Sequence, residues 1–204
     1  RRIEALQQST ASLMLFLEYI PQNLHDWLGV QFQAGDEAAE RAGVMVDTEL
    51  HAGTSFMNAR GLVHFDAHFR NILTDGRRLY FADFGLSLSS RFDLSRDEAG
   101  FHDRHRSHDR CYTASYLVYW LITALYGYGW DERYALVRAC ADGERPTGIP
   151  EGAAAIIARH APFAVVVWDF FRRLQEESRE TPYPLEALRR IEQHDGPPDA
   201  ATGS

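Results

Sequence analysis

Asp66, Asn71 and Asp83 are the residues of this chain whose types and spacing could do chemistry. They stand in Leu62-Val63-His64-Phe65-Asp66-Ala67-His68-Phe69-Arg70-Asn71-Ile72-Leu73 and, shortly after, in Tyr80-Phe81-Ala82-Asp83-Phe84-Gly85. A carboxylate, then an amide, then a second carboxylate is the order of parts a phosphoryl-transfer site needs. The first carboxylate orients an acceptor hydroxyl; the amide oxygen and the second carboxylate hold magnesium.

The elements around these residues predict how they meet. Asn71-Ile72-Leu73 leads to Asp75-Gly76, and Arg78-Leu79-Tyr80-Phe81-Ala82 returns, which reads as a β-hairpin with a type I′ turn. Asn71 and Asp83 then sit at the two open ends of one hairpin, where a single cation sees both. The apolar run 12–20, stopped by Pro21, reads as a short buried strand. Asn23 is placed to cap a short helix holding Leu24, Trp27 and Leu28. Residues 37–60 contain no Pro and fit a long helix through Val44, Leu50, Phe56 and Met57. Residues 86–108 are polar and read as a loop. Residues 109–127 are apolar nearly all round, as in a central buried helix, with its aromatic residues as core. Further helices are predicted over 131–141, 151–160 and 162–178, with Pro162 in a first turn. The stretch from Gly196 reads as a disordered tail.

Bulk properties narrow the classes. A chain of 204 residues can build one good core. Its net charge of −8 gives no general support to nucleic-acid binding, with Arg104, Arg106 and Arg110 as a candidate local basic patch. No apolar run reaches the roughly 20 residues that span a bilayer, and no signal peptide is visible. Cys111 and Cys140 are too few for a disulfide framework and read as buried, reduced thiols in a cytoplasmic protein. All 21 basic residues are Arg. That usage, with the Ala-rich composition, suggests a GC-rich bacterial genome.

Together these motifs resemble the C-terminal lobe of the protein-kinase-like superfamily, from the hinge to near the C-terminus. His64-Phe65-Asp66 stands where kinases carry His-Arg-Asp, Asn71 has the catalytic-loop spacing, and Asp83-Phe84-Gly85 reads as the Asp-Phe-Gly motif. The resemblance implies an α+β fold: a mostly helical C-lobe over 21–195 with a small hairpin carrying the catalytic and metal-binding loops. Residues 1–20 would be a remnant of N-lobe strands and hinge, and 196–204 a tail. It implies an ATP-dependent phosphotransferase that moves the γ-phosphoryl group to a protein Ser or Thr or to a small-molecule alcohol. Asp66 would be catalytic, and Asn71 and Asp83 would hold Mg2+. Leu17, Glu18, Tyr19 and Ile20 would form the hinge that meets adenine, with Leu73 as the pocket floor. Asp109 would accept backbone N–H bonds from the catalytic loop, and His64, Phe84 and Gly85 would serve structure. His68 and Arg70 are candidate phosphate or substrate contacts.

The departures from the pattern also speak. Phe65 replaces the Arg that pairs with a phosphorylated activation loop in many protein kinases. His68 stands where aminoglycoside and choline phosphotransferases commonly carry His, yet those usually have Asp-x-Asp in place of Asp-Phe-Gly. No Ala-Pro-Glu follows Gly85. The 16 residues before Leu17 hold neither Gly nor Lys, and the whole chain lacks Lys. The Gly-rich loop and the strand Lys are therefore expected upstream, in an N-lobe of a longer protein, and this chain alone is expected to be weakly active or inactive.

Two alternatives are set beside this reading. One is a pseudokinase acting as a nucleotide-binding or scaffold module. The other is a metal-dependent hydrolase using His64, Asp66 and His68, with His102 or Asp103. His102, His105 and His108 recur every third residue beside Asp103 and Asp109, but a solvated polar segment is the expectation there. Ser87, Ser89 and Ser90 are ordinary loop residues that could also be phosphosites.

Overall fold

In the computed structural model, described for residue 10 and residues 16–194, helices pack beside two small antiparallel sheets in a mixed α+β fold. The chain runs β1 (Gln22–Asn23), α1 (Leu24–Gln33), α2 (Asp36–Ala59), β2 (Leu62–Val63), β3 (Ile72–Thr74) and β4 (Leu79–Phe81). A 3₁₀ turn (Phe84–Leu86), β5 (Leu88–Ser89) and α3 (Arg96–Arg104) follow. The chain then continues through α4 (His108–Tyr126), α5 (Trp130–Ala141), α6 (Glu151–Glu176) and α7 (Leu185–His194).

Local chemistry explains the first elements. The Asn23 side chain accepts the Asp26 N–H at 3.0 Å and so caps α1, which buries Leu24 and Leu28. In α2 the core stripe is Ala39, Ala42, Val46, Leu50 and Met57, at helical spacing. Val44 and Phe56, expected in that stripe, face solvent instead. The centre of the core is α4 against α6, where Leu117, Leu121, Ile122, Ile157 and Phe163 are fully or almost fully buried. Cys111 and Cys140 are unpaired and buried within it.

Several expectations need correction. Of the predicted strand 12–20, residues 12–15 lie outside the described residues. Residues 16–20 have no regular structure, and Phe16, Leu17 and Tyr19 are 83–88% exposed. No described element covers them, so their apolar character is not satisfied within these residues. The hairpin exists, but Thr74 pairs with Leu79, so its loop has four residues rather than the two of a type I′ turn. Asp75 organises that loop, its carboxylate accepting the N–H groups of Arg77 and Arg78 at 2.8 and 2.9 Å, while Gly76 alone takes positive φ.

The segment 86–108 is not a loop. It contains β5 and α3, and α3 opens with a reciprocal capping box between Ser95 and Glu98. α6 is one helix through Pro162, not two. Pro162 removes the hydrogen bond to Ala158 C=O, but apolar faces on both sides of it (Ile156 and Ile157 before, Phe163 and Val167 after) are buried in one core. α6 is long and apolar enough to cross a membrane by length and composition alone. Yet mid-helix Arg159 and His160 bond Asp47 of α2 at 2.7 and 2.6 Å. α7 was not expected; Leu188 on its inner face is fully buried. The predicted tail from Gly196 lies outside the described residues.

Candidate active site

Two ladders fix the segment that carries Asp66. β2, which runs directly into His64, pairs with β5, which follows the Asp83 turn. β3, which follows Asn71, pairs with β1 on one side and β4 on the other. The pairing extends one step past the strand ends, because Ala82 N–H donates to Asn71 C=O at 2.8 Å. Asn71 therefore sits beside Ala82, and Asp83 is the next residue. The two residues thus stand at the same open end of the hairpin as neighbours along the backbone ladder.

Asp66 and Asn71 are directly bonded. Asn71 Nδ2 donates to Asp66 Oδ2 at 2.9 Å and to Asp66 C=O at 3.1 Å. Both protons of the amide are thus used on Asp66, and its Oδ1 meets no donor among the described residues. Asp66 Oδ1 lies 3.7 Å from His68 Nε2, and its side chain is about one-third exposed. His68 Nδ1 accepts the Arg70 N–H at 3.2 Å, which leaves Nε2 as the protonated nitrogen facing Asp66. Arg70 is 63% exposed and points to Asp26 at 3.9 Å, a contact of little energetic weight.

His64 is fully buried beneath this loop. Its Nδ1 accepts the Asp66 N–H at 3.3 Å, so its Nε2 carries the proton and donates to Ala82 C=O at 2.9 Å. One imidazole thereby links the segment of Asp66 to that of Asp83. Its ring also packs 4.7 Å from that of Phe84, which is half-exposed. Asp109, at the start of α4, accepts the N–H groups of His64 and Phe65 at 2.6 and 3.0 Å. Burial raises the Asp109 carboxyl above the usual range, and these two amide bonds oppose the rise.

Backbone strain is concentrated here. Among the described residues only Phe65 (φ 64°) and Asp83 (φ 60°) are non-glycine residues with positive φ. Such conformations cost on the order of 1–3 kcal/mol each and persist where surroundings enforce them. The two flank the loop and the turn that carry Asp66, Asn71 and Asp83. Asp83 is exposed, and a Cβ at Gly85 would stand 3.2 Å from its Oδ1, so glycine leaves room for that carboxylate.

The donor set of Asn71 and Asp83 fits magnesium, which takes hard oxygen ligands and is usually bound by one or two side chains plus phosphate and water. The hydrolase alternative fares differently. Both ring nitrogens of His64 are engaged inside the protein, so His64, Asp66 and His68 do not form a three-ligand set. Among the described residues no group of three or more His, Cys, Asp or Glu side chains is placed to hold a metal. His102, His105 and His108 diverge. His102 is buried and bonds Gly61 C=O at 2.9 Å, and His105 bonds Phe101 C=O at 2.7 Å. His108 sits in an aromatic stack, where burial lowers its pKa to about 4. The three histidines are packed, while Asp103, Arg104 and Arg106 between them are solvated as expected. Ser87 Oγ donates to Phe84 C=O, and Ser89 is buried.

Phe65 takes part in that stack, its ring 5.5 Å from Phe101 of α3 and 5.2 Å from His108 of α4. Where the resemblance would put a charge-paired Arg, the chain ties its segment 86–108 to the loop through aromatic packing.

Leu17, Glu18 and Tyr19 are exposed and Ile20 is half-buried, all without regular structure. In β1, Gln22 and Asn23 pair antiparallel with Thr74 and Leu73, so it is Asn23, three residues past Ile20, that lies opposite the half-buried Leu73. The sequence reading missed one feature of the site. Tyr112, Tyr116 and Tyr119, expected as core, are half-buried and line an open cavity together with Asp66. Their spacing along α4 was the available signal, since they recur on one face. No family model matches the chain, and no curated protein matches it.

Proposed function

We propose that the chain is the hinge and C-lobe of an ATP-dependent phosphotransferase of the protein-kinase-like superfamily, acting on an alcohol. The observation that carries this reading is the bond between Asp66 and Asn71, with Asn71 paired through its carbonyl to the residue before Asp83. Asp66 orients the acceptor hydroxyl and takes its proton, while Asn71 holds the Asp66 carboxylate in one orientation. Asn71 Oδ1 and the Asp83 carboxylate are the ligands for Mg2+. Bound magnesium–ATP would supply the γ-phosphoryl group and the neutralising cation. Glu18 C=O and Ile20 N–H meet the adenine edge, with Leu17 and Tyr19 in the same hinge and Leu73 beneath the base. His68, whose Nε2–H faces Asp66, and Arg70 stand on the substrate side.

The chain has no Lys to pair with the phosphates. In this reading that contact and a Gly-rich loop belong to an N-lobe upstream, and residues 1–204 alone turn over very slowly. The same absence favours a second reading, a pseudokinase that binds nucleotide without turnover. Asp66→Asn in the full-length protein tests the first. Turnover is expected to fall by about a hundredfold or more while nucleotide affinity is kept. Unchanged turnover would overturn the role of Asp66, and nucleotide binding without any turnover in the wild type would select the pseudokinase.

A further inference from the structure

A second cavity, of about 500 Å³, lies between α2, α4 and α6. Leu50, Leu117 and Phe163 form its apolar floor, and Asp47, Arg110 and Arg159 carry its fixed charges. We propose that this cavity binds a small organic monoanion, a carboxylate on an apolar body, with Arg110 as its anchor. The site is independent of the phosphotransferase reading. Its volume lies within the few hundred to about 1,000 Å³ of sites that enclose small molecules.

This cavity and the one beside Asp66 use opposite sides of α4. Arg110, Thr113, Ala114 and Leu117 face the first, while Tyr112, Tyr116 and Tyr119 face the second. The two sets are offset by two residues, which on a helix turns a side chain through about 200°. None of Asp66, Asn71 and Asp83 lines the cavity of Arg110.

Arg110 is the unmatched group of this wall. Its side chain is only about one-third exposed, and its guanidinium donates no hydrogen bond to any described residue. Its contacts are Glu192 of α7, at 3.7 Å, and the Phe163 ring, whose centroid is 5.9 Å away. A guanidinium offers paired N–H donors in one plane, which match the two oxygens of a carboxylate. Phe163 belongs to the same wall, so an apolar body carried by that carboxylate comes to rest on the floor.

The charges favour one negative group. Asp47 is already shared, its Oδ2 bonded to Arg159 at 2.7 Å and its Oδ1 to His160 at 2.6 Å. Arg110 and Arg159 set against Asp47 leave one positive charge on the wall. An adjoining cavity of about 220 Å³, which shares Arg110 and Thr54, adds Arg106 and Glu192 and leaves that balance unchanged. His51 and His160, the other titratable groups of the wall, can only add positive charge. Thr48, Thr54 and Thr113 spend their hydroxyl protons on carbonyls of their own helices, so an uncharged polar ligand finds few donors. A cation would meet the wrong sign. A dianion such as phosphate would exceed the single positive charge and leave the apolar floor uncovered.

The test is calorimetric titration of the full-length protein with 3-phenylpropanoate, its neutral isostere 3-phenylpropanamide, and inorganic phosphate. The carboxylate is expected to bind at least about tenfold more tightly than either of the others. Arg110→Gln is expected to weaken the carboxylate at least about tenfold and to leave the amide unchanged. Arg159→Gln, at a side chain more than half exposed, is expected to weaken the carboxylate about threefold, and it keeps the test available if Arg110→Gln disturbs folding. No binding of the carboxylate, equal affinity for carboxylate and amide, tighter binding of phosphate, or carboxylate binding unaffected by both substitutions would each overturn the assignment.

Discussion

Asp109 and His64, 45 positions apart in sequence, are joined by a 2.6 Å hydrogen bond from the His64 backbone N–H to the Asp109 carboxylate. A second bond, from Phe65 N–H, makes the first turn of α4 the anchor of the strained residue that precedes Asp66. The carboxylate is buried and both donors are main-chain groups, so removing it leaves two N–H groups without partners. Asp109→Ala is expected to cost about 2–4 kcal/mol, and Asp109→Asn, which can keep one bond, less. Urea unfolding reads this directly, and a loss below about 0.5 kcal/mol would contradict the anchoring role.

Phe65 is held by rings, not by charge. Phe65→Arg would put a guanidinium beside Phe101, His105 and His108 and lose the ring contacts. A loss of about 2–3 kcal/mol is expected, together with faster proteolysis within 91–107. Wild-type-like stability and protease resistance would show that the stack does not hold α3.

His108 makes this stack sensitive to acid. Burial, reinforced by the charge of His105, holds its pKa near 4 against a bond to the Phe65 backbone. In the folded state it binds a proton less readily than in the unfolded chain. Its contribution is therefore whole above the ordinary histidine value near 6.5, is lost as pH falls from there to about 4, and amounts to roughly 3 kcal/mol. Asp109 has the opposite sign, since a raised carboxyl pKa favours the folded state at low pH, and it blunts the total slope. His108→Phe, beside His105, Tyr112 and Tyr183, isolates the effect. Its stability is expected to fall less than that of the wild type between pH 6.5 and 4, and parallel curves would contradict the assignment.

Asp47 joins α2 to α6. Burial opposes its ionisation, but the bond to His160 and the nearby Arg159 outweigh it and lower its pKa. Asp47→Ala would leave the largely buried His160 without its carboxylate, while Arg159, which is exposed, would lose a contact that solvent already screens. A cost of about 3 kcal/mol is expected, visible as a lower Tm. An unchanged Tm would mean that the pair is neutral to folding.

What could be read in the sequence was what local chemistry dictates. Asn23 as a cap, the hairpin around Asp75-Gly76 and the apolar helix 109–127 each carry their signal within a few residues. The relation of Asn71 to Asp83 followed, because a hairpin brings its own ends together. Other features depended on distant parts of the chain. Pro162 looked like a helix start, and only burial on both sides of it in one core keeps α6 continuous. The four-residue loop was hidden because Asp75 builds it with its side chain rather than with positive φ. α3 was legible in Ser95-Arg96-Asp97-Glu98, a capping box overlooked in a polar stretch. The run 12–20 looked like a buried strand by composition, but burial needs a partner, and residues 16–20 have none among the described residues. The aromatic cavity was hidden for the opposite reason: tyrosines at core spacing lie against a space that α5 and α6 leave open.

The most direct test of the central claim is magnesium-dependent ATP binding by the full-length protein, wild type against Asp83→Ala. If Asn71 and Asp83 are the metal ligands, Asp83→Ala weakens ATP in the presence of Mg2+ by about tenfold or more, and the difference disappears when magnesium is chelated. Equal magnesium-dependent affinity in the two proteins, or no ATP binding by the wild type, would contradict the account.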